Sequence, residues 1–201
     1  MKSKKTLLLI LLAFVLLIGG ASVLYDRLGQ GLAPNQLAVQ GPQTAEEAAE
    51  SESTGGVEAE KVLAPDFTVY DQEGNEVHLS DFTGKPIVLN FWASWCGPCK
   101  MEMPDFHEKY LELGEEVHFL MINMTDGSRE TVDSASEFIS GQGYTFPVFY
   151  DTQADAAMTY GAYSLPTTYF IDGEGCAIAQ ATGAIQAETL QRGIDMITSD
   201  K

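Results

Sequence analysis

Residues 87–92, Ile-Val-Leu-Asn-Phe-Trp, are apolar at every position but one. A run of this kind reads as a strand buried on both faces, which needs a packed layer above and below it. The rest of the chain offers those layers. Downstream, helical spacing over 98–114 contains Pro104 as a kink, and 117–122 is a second apolar strand. Residues 128–140 repeat apolar side chains at helical spacing (Val132, Ala135, Phe138, Ile139) until Gly141 and Gly143. A strand at 146–150, a helix at 153–160 and a strand at 167–171 come next. The turn 172–175 then leads into a strand at 177–181 and an amphipathic helix at 188–198. Upstream, 67–70 and 76–79 flank a Gly-containing turn as two strands of a hairpin. Alternating strands and helices specify a layered α/β sheet over residues 62–201.

Two other segments precede this unit. Lys2, Lys4 and Lys5 come before an uncharged, Leu-rich stretch over 6–24, about the minimum length for a helix crossing roughly 30 Å of hydrocarbon. Lysines ahead of the apolar run keep the N-terminus cytoplasmic and export the residues C-terminal to the run. Residues 1–24 are thus expected to be a signal-anchor transmembrane helix. The competing reading is a cleavable signal, with Gly19-Gly20-Ala21 as a small-residue site, and it exports the same chain. Residues 25–61, rich in glycine, proline and glutamate, are expected to be a flexible acidic linker with at most one short solvated helix near 44–50.

Charge and cysteine content narrow the function. The 201 residues include 29 acidic and 11 basic side chains, a formal net charge of −18. Such a surface lacks the clustered Lys and Arg that nucleic acids require. Three cysteines and three histidines are too few for a disulfide scaffold or a His-rich metal protein.

Two of the cysteines lie in Trp95-Cys96-Gly97-Pro98-Cys99, between the first buried strand and a helix. That context is the one required of a redox Cys-x-x-Cys. Cys96 falls at the helix N-cap region, where unpaired N–H groups and the positive dipole end stabilise a thiolate. Pro98 lies in the first turn, where its missing N–H costs nothing. Cys96 is therefore expected to be the exposed nucleophile and Cys99 the buried resolving thiol. A zinc site needs four ligands, and no second pair stands at ligand spacing. Haem attachment needs a His where Lys100 stands. No metal and no cofactor are expected.

Residues 62–200 resemble the thioredoxin superfamily, in particular its TlpA/ResA-like branch of membrane-tethered thiol-disulfide oxidoreductases. The resemblance rests on Ala64-Pro65-Asp66-Phe67, the segment 79–85, the segment 89–100, Glu102-Met103-Pro104 and the segment 165–172. It implies a thioredoxin-like α/β fold: a central mixed sheet flanked by helices, with an added N-terminal β-hairpin and an inserted helix–strand segment. By the same resemblance, Pro166 takes the place of the family's cis-proline, and the backbone of Leu165 pairs with an extended substrate segment. Trp95, Gly97 and Pro98 join them as substrate-contacting residues. Asn90 stands where many thioredoxins carry a buried Asp. Glu102 stands where a half-buried carboxylate can relay a proton to or from Cys99, against the alternative of an exposed helical Glu.

The implied function is an extracytoplasmic, monomeric thiol-disulfide oxidoreductase that reduces disulfides of partner proteins. Electrons would return from a membrane thiol transporter of the CcdA/DsbD type, with apocytochrome c maturation or methionine sulfoxide reductases as client processes. One alternative is a thiol peroxidase, whose Thr-x-x-Cys pattern is replaced here by Ser94-Trp95 before Cys96. Another is a non-catalytic tethered binding or chaperone module. Trp92, His78, His107, His118 and Lys100 read as structural or solvated, and Cys176 as a buried inert thiol.

Overall fold

The computed structural model describes residues 37–39 and 62–199. The expected anchor at 1–24, and the expected helix near 44–50 in the linker, lie outside the described residues. In chain order the strands are β1 (Ala38–Val39), β2 (Val62–Leu63), β3 (Thr68–Tyr70), β4 (Glu76–His78), β5 (Ile87–Trp92), β6 (His118–Asn123), β7 (Val148–Tyr150), β8 (Thr167–Ile171) and β9 (Cys176–Thr182). The helices are α1 (Gly97–Leu113), α2 (Val132–Gln142), α3 (Asp155–Tyr160) and α4 (Ala187–Thr198), with a 3-10 helix at Leu79–Phe82.

The strands form one mixed sheet in the order β1-β9-β8-β5-β6-β7-β3-β4, with β2 also on β9. Strand β5 pairs parallel with β6 and antiparallel with β8, so the apolar run lies in the sheet interior. Its side chains alternate faces as a period of two demands. Val88 and Trp92 join the core under α1, α2 and α4, with Met103, Phe106, Ala135, Leu190 and Ile194. Ile87, Leu89 and Phe91 join the opposite core, with Phe67 just before β3, Val69 of β3, and Ala156 and Tyr160 of α3. The close seat of α4 on the sheet depends on Gly193: a Cβ there would come within 2.2 Å of the Phe170 ring.

Three differences from the sequence reading have a plain physical cause. Helix α2 starts at Val132 rather than 128, because Asp126 Oδ1 accepts the N–H groups of Ser128, Arg129 and Glu130 and holds those residues in a turn. Thr131 then caps the helix by accepting the N–H of Ser134 at 3.1 Å. Strand β7 starts after Pro147, which has no N–H for the ladder. Finally, Ala38 and Val39, inside the expected linker, pair antiparallel with Gln180 and Ala179 of β9. Leu37 packs against the core beneath. The linker's composition describes what it can bury by itself; an open sheet edge elsewhere supplies partners that composition does not see.

Candidate active site

Strand β5 ends at Trp92, and the chain turns tightly so that the N–H of Cys96 donates to the carbonyl of Ala93 at 3.1 Å. Cys96 has extended backbone angles and caps α1, its Sγ accepting the N–H of Cys99 at 3.2 Å. The two sulfurs are bonded to each other. A thiolate at this position meets the unpaired amides and positive end of a seventeen-residue helix. Cys99 is sealed from solvent, and Cys96 shows only 4% of its surface. The expectation of an exposed Cys96 is thus corrected. The turn folds it into the same apolar cluster as Met103 and Phe106, and only its edge reaches the surface.

That edge opens into a groove of about 650 Å³. Trp95, Cys96, Gly97, Pro98 and Leu165, all singled out from the sequence, line it, together with Met124, Met158, Tyr163, Arg129 and three alanines. Pro166 lies buried just behind Leu165. The Leu165–Pro166 peptide bond is cis, and the Pro166 carbonyl accepts the N–H of Gly183 at 2.8 Å.

Glu102, one turn after Cys99 on the same helix face, is 2% exposed. The exposed-helix reading of Glu102 therefore falls away. Its two oxygens accept from Asn90 Nδ2 at 2.8 Å and from the N–H of Ile185 at 2.9 Å. Desolvation dominates these two bonds and raises its pKa to about 8, with the nearby charge of Asp105 adding a little. Asn90 also donates to Thr168 Oγ1 at 3.0 Å, and among the described residues its buried carbonyl oxygen has no hydrogen-bond partner.

The structure adds a second buried carboxylate that sequence reasoning missed. Glu130, 0% exposed, accepts the N–H of Ser94 at 2.8 Å, the Ser94 hydroxyl at 2.7 Å and Asn123 Nδ2 at 2.7 Å. It thereby ties the turn before Cys96 to the end of β6. No local motif announces Glu130; only the pairing of β6 beside β5 brings it there. The same segment places the Arg129 guanidinium 3.6 Å over the Trp95 ring.

The remaining residues have packing or hydrogen-bond partners other than the sulfurs. Trp92 is buried against Phe138, and Lys100 lies over the Phe138 ring. His78 meets Thr68, His107 meets Thr145, and His118 stacks edge-on against Phe82, its pKa lowered by burial. Cys176 is buried in β9, at the far end of the strand from Thr182.

Residues 61–179 match the AhpC/TSA family. The chain is 38% identical over 138 residues to the thiol-disulfide oxidoreductase ResA of Bacillus thuringiensis subsp. konkukian, covering 67% of this chain and 76% of the relative. It is 32% identical over 135 residues to ResA of Bacillus subtilis, covering 67% and 73%. Among solved structures, a DsbE-like thiol:disulfide interchange protein of Chlorobium tepidum superposes with a TM-score of 0.59 at 29% identity, over 67% of this chain and 94% of that one. A buried Cys-x-x-Cys capping a helix and these similarities agree: the chain belongs to the ResA/TlpA-like thioredoxin-fold thiol-disulfide oxidoreductases within the AhpC/TSA family.

Proposed function

We propose that the chain is an extracytoplasmic reductase of disulfides in partner proteins, held at the membrane by residues 1–24 and spaced from it by the part of the acidic segment that precedes β1. The observation that carries this reading is the position of Cys96, at the cap of α1 and at the floor of an apolar groove, with Cys99 sealed directly behind it.

In the reduced chain, the Cys96 thiolate attacks a sulfur of the partner's disulfide. One Cys96–partner disulfide forms, and the other partner sulfur leaves as a thiolate. Cys99, deprotonated, then attacks Cys96 Sγ; the second partner thiolate leaves and the 96–99 bond closes. Two electrons pass to the partner. Glu102 is the nearest buried acid along the helix; with a pKa near 8, its ionised fraction, which grows as pH rises toward 8, takes the proton from Cys99, and the protonated form returns it on re-reduction. Leu165 offers backbone to an extended partner segment, beside Trp95, Gly97, Pro98 and Pro166. A membrane thiol transporter of the CcdA/DsbD type would restore the dithiol, and apocytochrome c is a client of fitting chemistry.

Reduction of insulin disulfides by the pre-reduced chain tests this reading, together with the potential of the 96–99 couple. Turnover with a potential near the thioredoxin value of about −270 mV is expected. A potential near about −120 mV, or consumption of hydrogen peroxide in place of insulin reduction, contradicts it.

A further inference from the structure

Arg129 is the charged residue among those lining the groove beside Cys96. Its backbone is fixed: the N–H donates to Asp126 Oδ1 at 2.7 Å, and the next residue, Glu130, anchors Ser94. Its guanidinium lies 3.6 Å over the centre of the Trp95 ring. Among the described residues the guanidinium has no hydrogen-bond or ion-pair partner, although the chain carries 29 acidic side chains against 11 basic ones. Around it Trp95, Met158 and Tyr163 are 40%, 69% and 85% exposed. A partner entering the groove therefore meets exposed apolar surface and one oriented cation. A planar guanidinium with open donors, stiffened by an aromatic face, matches a carboxylate in two-point geometry.

We infer that Arg129 is a specificity-determining residue that favours partner disulfides flanked by acidic side chains, receiving the carboxylate on the guanidinium held over Trp95. The inference rests on the oxidoreductase reading of the groove. It runs against the chain's overall field, since a net charge of −18 by itself steers basic partners toward the protein. The local cation and the global charge therefore predict opposite preferences, which makes the two separable.

The test uses the reduced full-length chain and three short peptides, identical except that Glu, Gln or Lys flanks a single cysteine. That cysteine is capped as a mixed disulfide with thionitrobenzoate. Attack of the Cys96 thiolate on the peptide sulfur forms the Cys96–peptide disulfide and expels the coloured thionitrobenzoate thiolate; Cys99 then releases the peptide thiol. A Cys96→Ser chain supplies the baseline. At low salt the Glu peptide is expected to react about fivefold faster than the Lys peptide. The ratio should shrink as salt rises. Arg129→Gln should abolish the preference, Arg129→Glu reverse it, and Arg129→Lys keep its sign. A wild-type preference for the Lys peptide, or a ratio that Arg129→Gln leaves unchanged, overturns the inference. No release above baseline from any peptide contradicts instead the oxidoreductase reading beneath it.

Discussion

Glu102 accepts a hydrogen bond from the Asn90 side-chain amide at 2.8 Å, inside a core that excludes water from both. An ionised carboxylate is poorly placed there, so the folded chain holds Glu102 protonated up to about pH 8. A protonated Glu102 has an O–H to donate. A half-turn of the Asn90 amide would set its unpartnered carbonyl oxygen against that O–H.

Glu102 should make stability depend on pH in a definite direction. Its folded pKa lies above the ordinary 4.5, so between about 4.5 and about 8 the folded state binds the extra proton. Its contribution is fully present below 4.5 and is lost as pH rises through about 8. At about 1.4 kcal/mol per pH unit, a few kcal/mol are at stake. Urea midpoints at several pH values should show wild type losing ground to Glu102→Gln from pH 5 to 9. Parallel curves for the two proteins would remove the raised pKa. The same substitution should also alter the pH profile of Cys99 attack, as a proton relay requires.

Glu130 should matter to the turn that presents Cys96. Glu130→Ala leaves the buried Asn123 amide without its acceptor, at about 1–3 kcal/mol, and two half-buried Ser94 donors likewise, at less each. A loss of about 3–5 kcal/mol is expected, together with slower disulfide reduction at temperatures where the variant stays folded. Glu130→Gln, which keeps one carbonyl oxygen, should recover part of both. An Ala variant with wild-type stability and rate would show that the Ser94 tie is idle.

Much of this arrangement could be read from the residues, and the limit has a physical form. Strand β5 and the cysteine pair were legible because periodicity and spacing act within a few residues. Burial of Glu102 was one of two open readings, and it came from the resemblance, not from periodicity. Its helix position looks like that of any surface Glu until Ile185, eighty-three residues away, turns its N–H onto it. Glu130 and Arg129 were missed for the same reason: what gives them a role is the adjacency of β5 and β6, a non-local fact. The pairing of Ala38–Val39 was hidden because the partner edge, not the segment, supplies the drive.

Gly193→Ala should destabilise the fold by about 1–3 kcal/mol, because the added methyl meets the Phe170 ring at 2.2 Å and α4 must move off β8. Thermal melting checks this. A neutral or stabilising result would mean that α4 has slack against the sheet.

Cys176, buried in β9, should resist alkylation in the native oxidised chain and react only after unfolding. Mass spectrometry after iodoacetamide treatment reads the outcome directly. Rapid native labelling would mean that β9 opens at that end.

The central claim is that Cys96 attacks partner disulfides and Cys99 releases them. The most direct measurement is a Cys99→Ser chain incubated with an insulin disulfide substrate and analysed by non-reducing mass spectrometry. A stable adduct joining Cys96 to an insulin cysteine is predicted, absent from the Cys96→Ser chain. Failure of the Cys99→Ser chain to form any adduct through Cys96, while the wild-type chain still reduces insulin, would contradict the account.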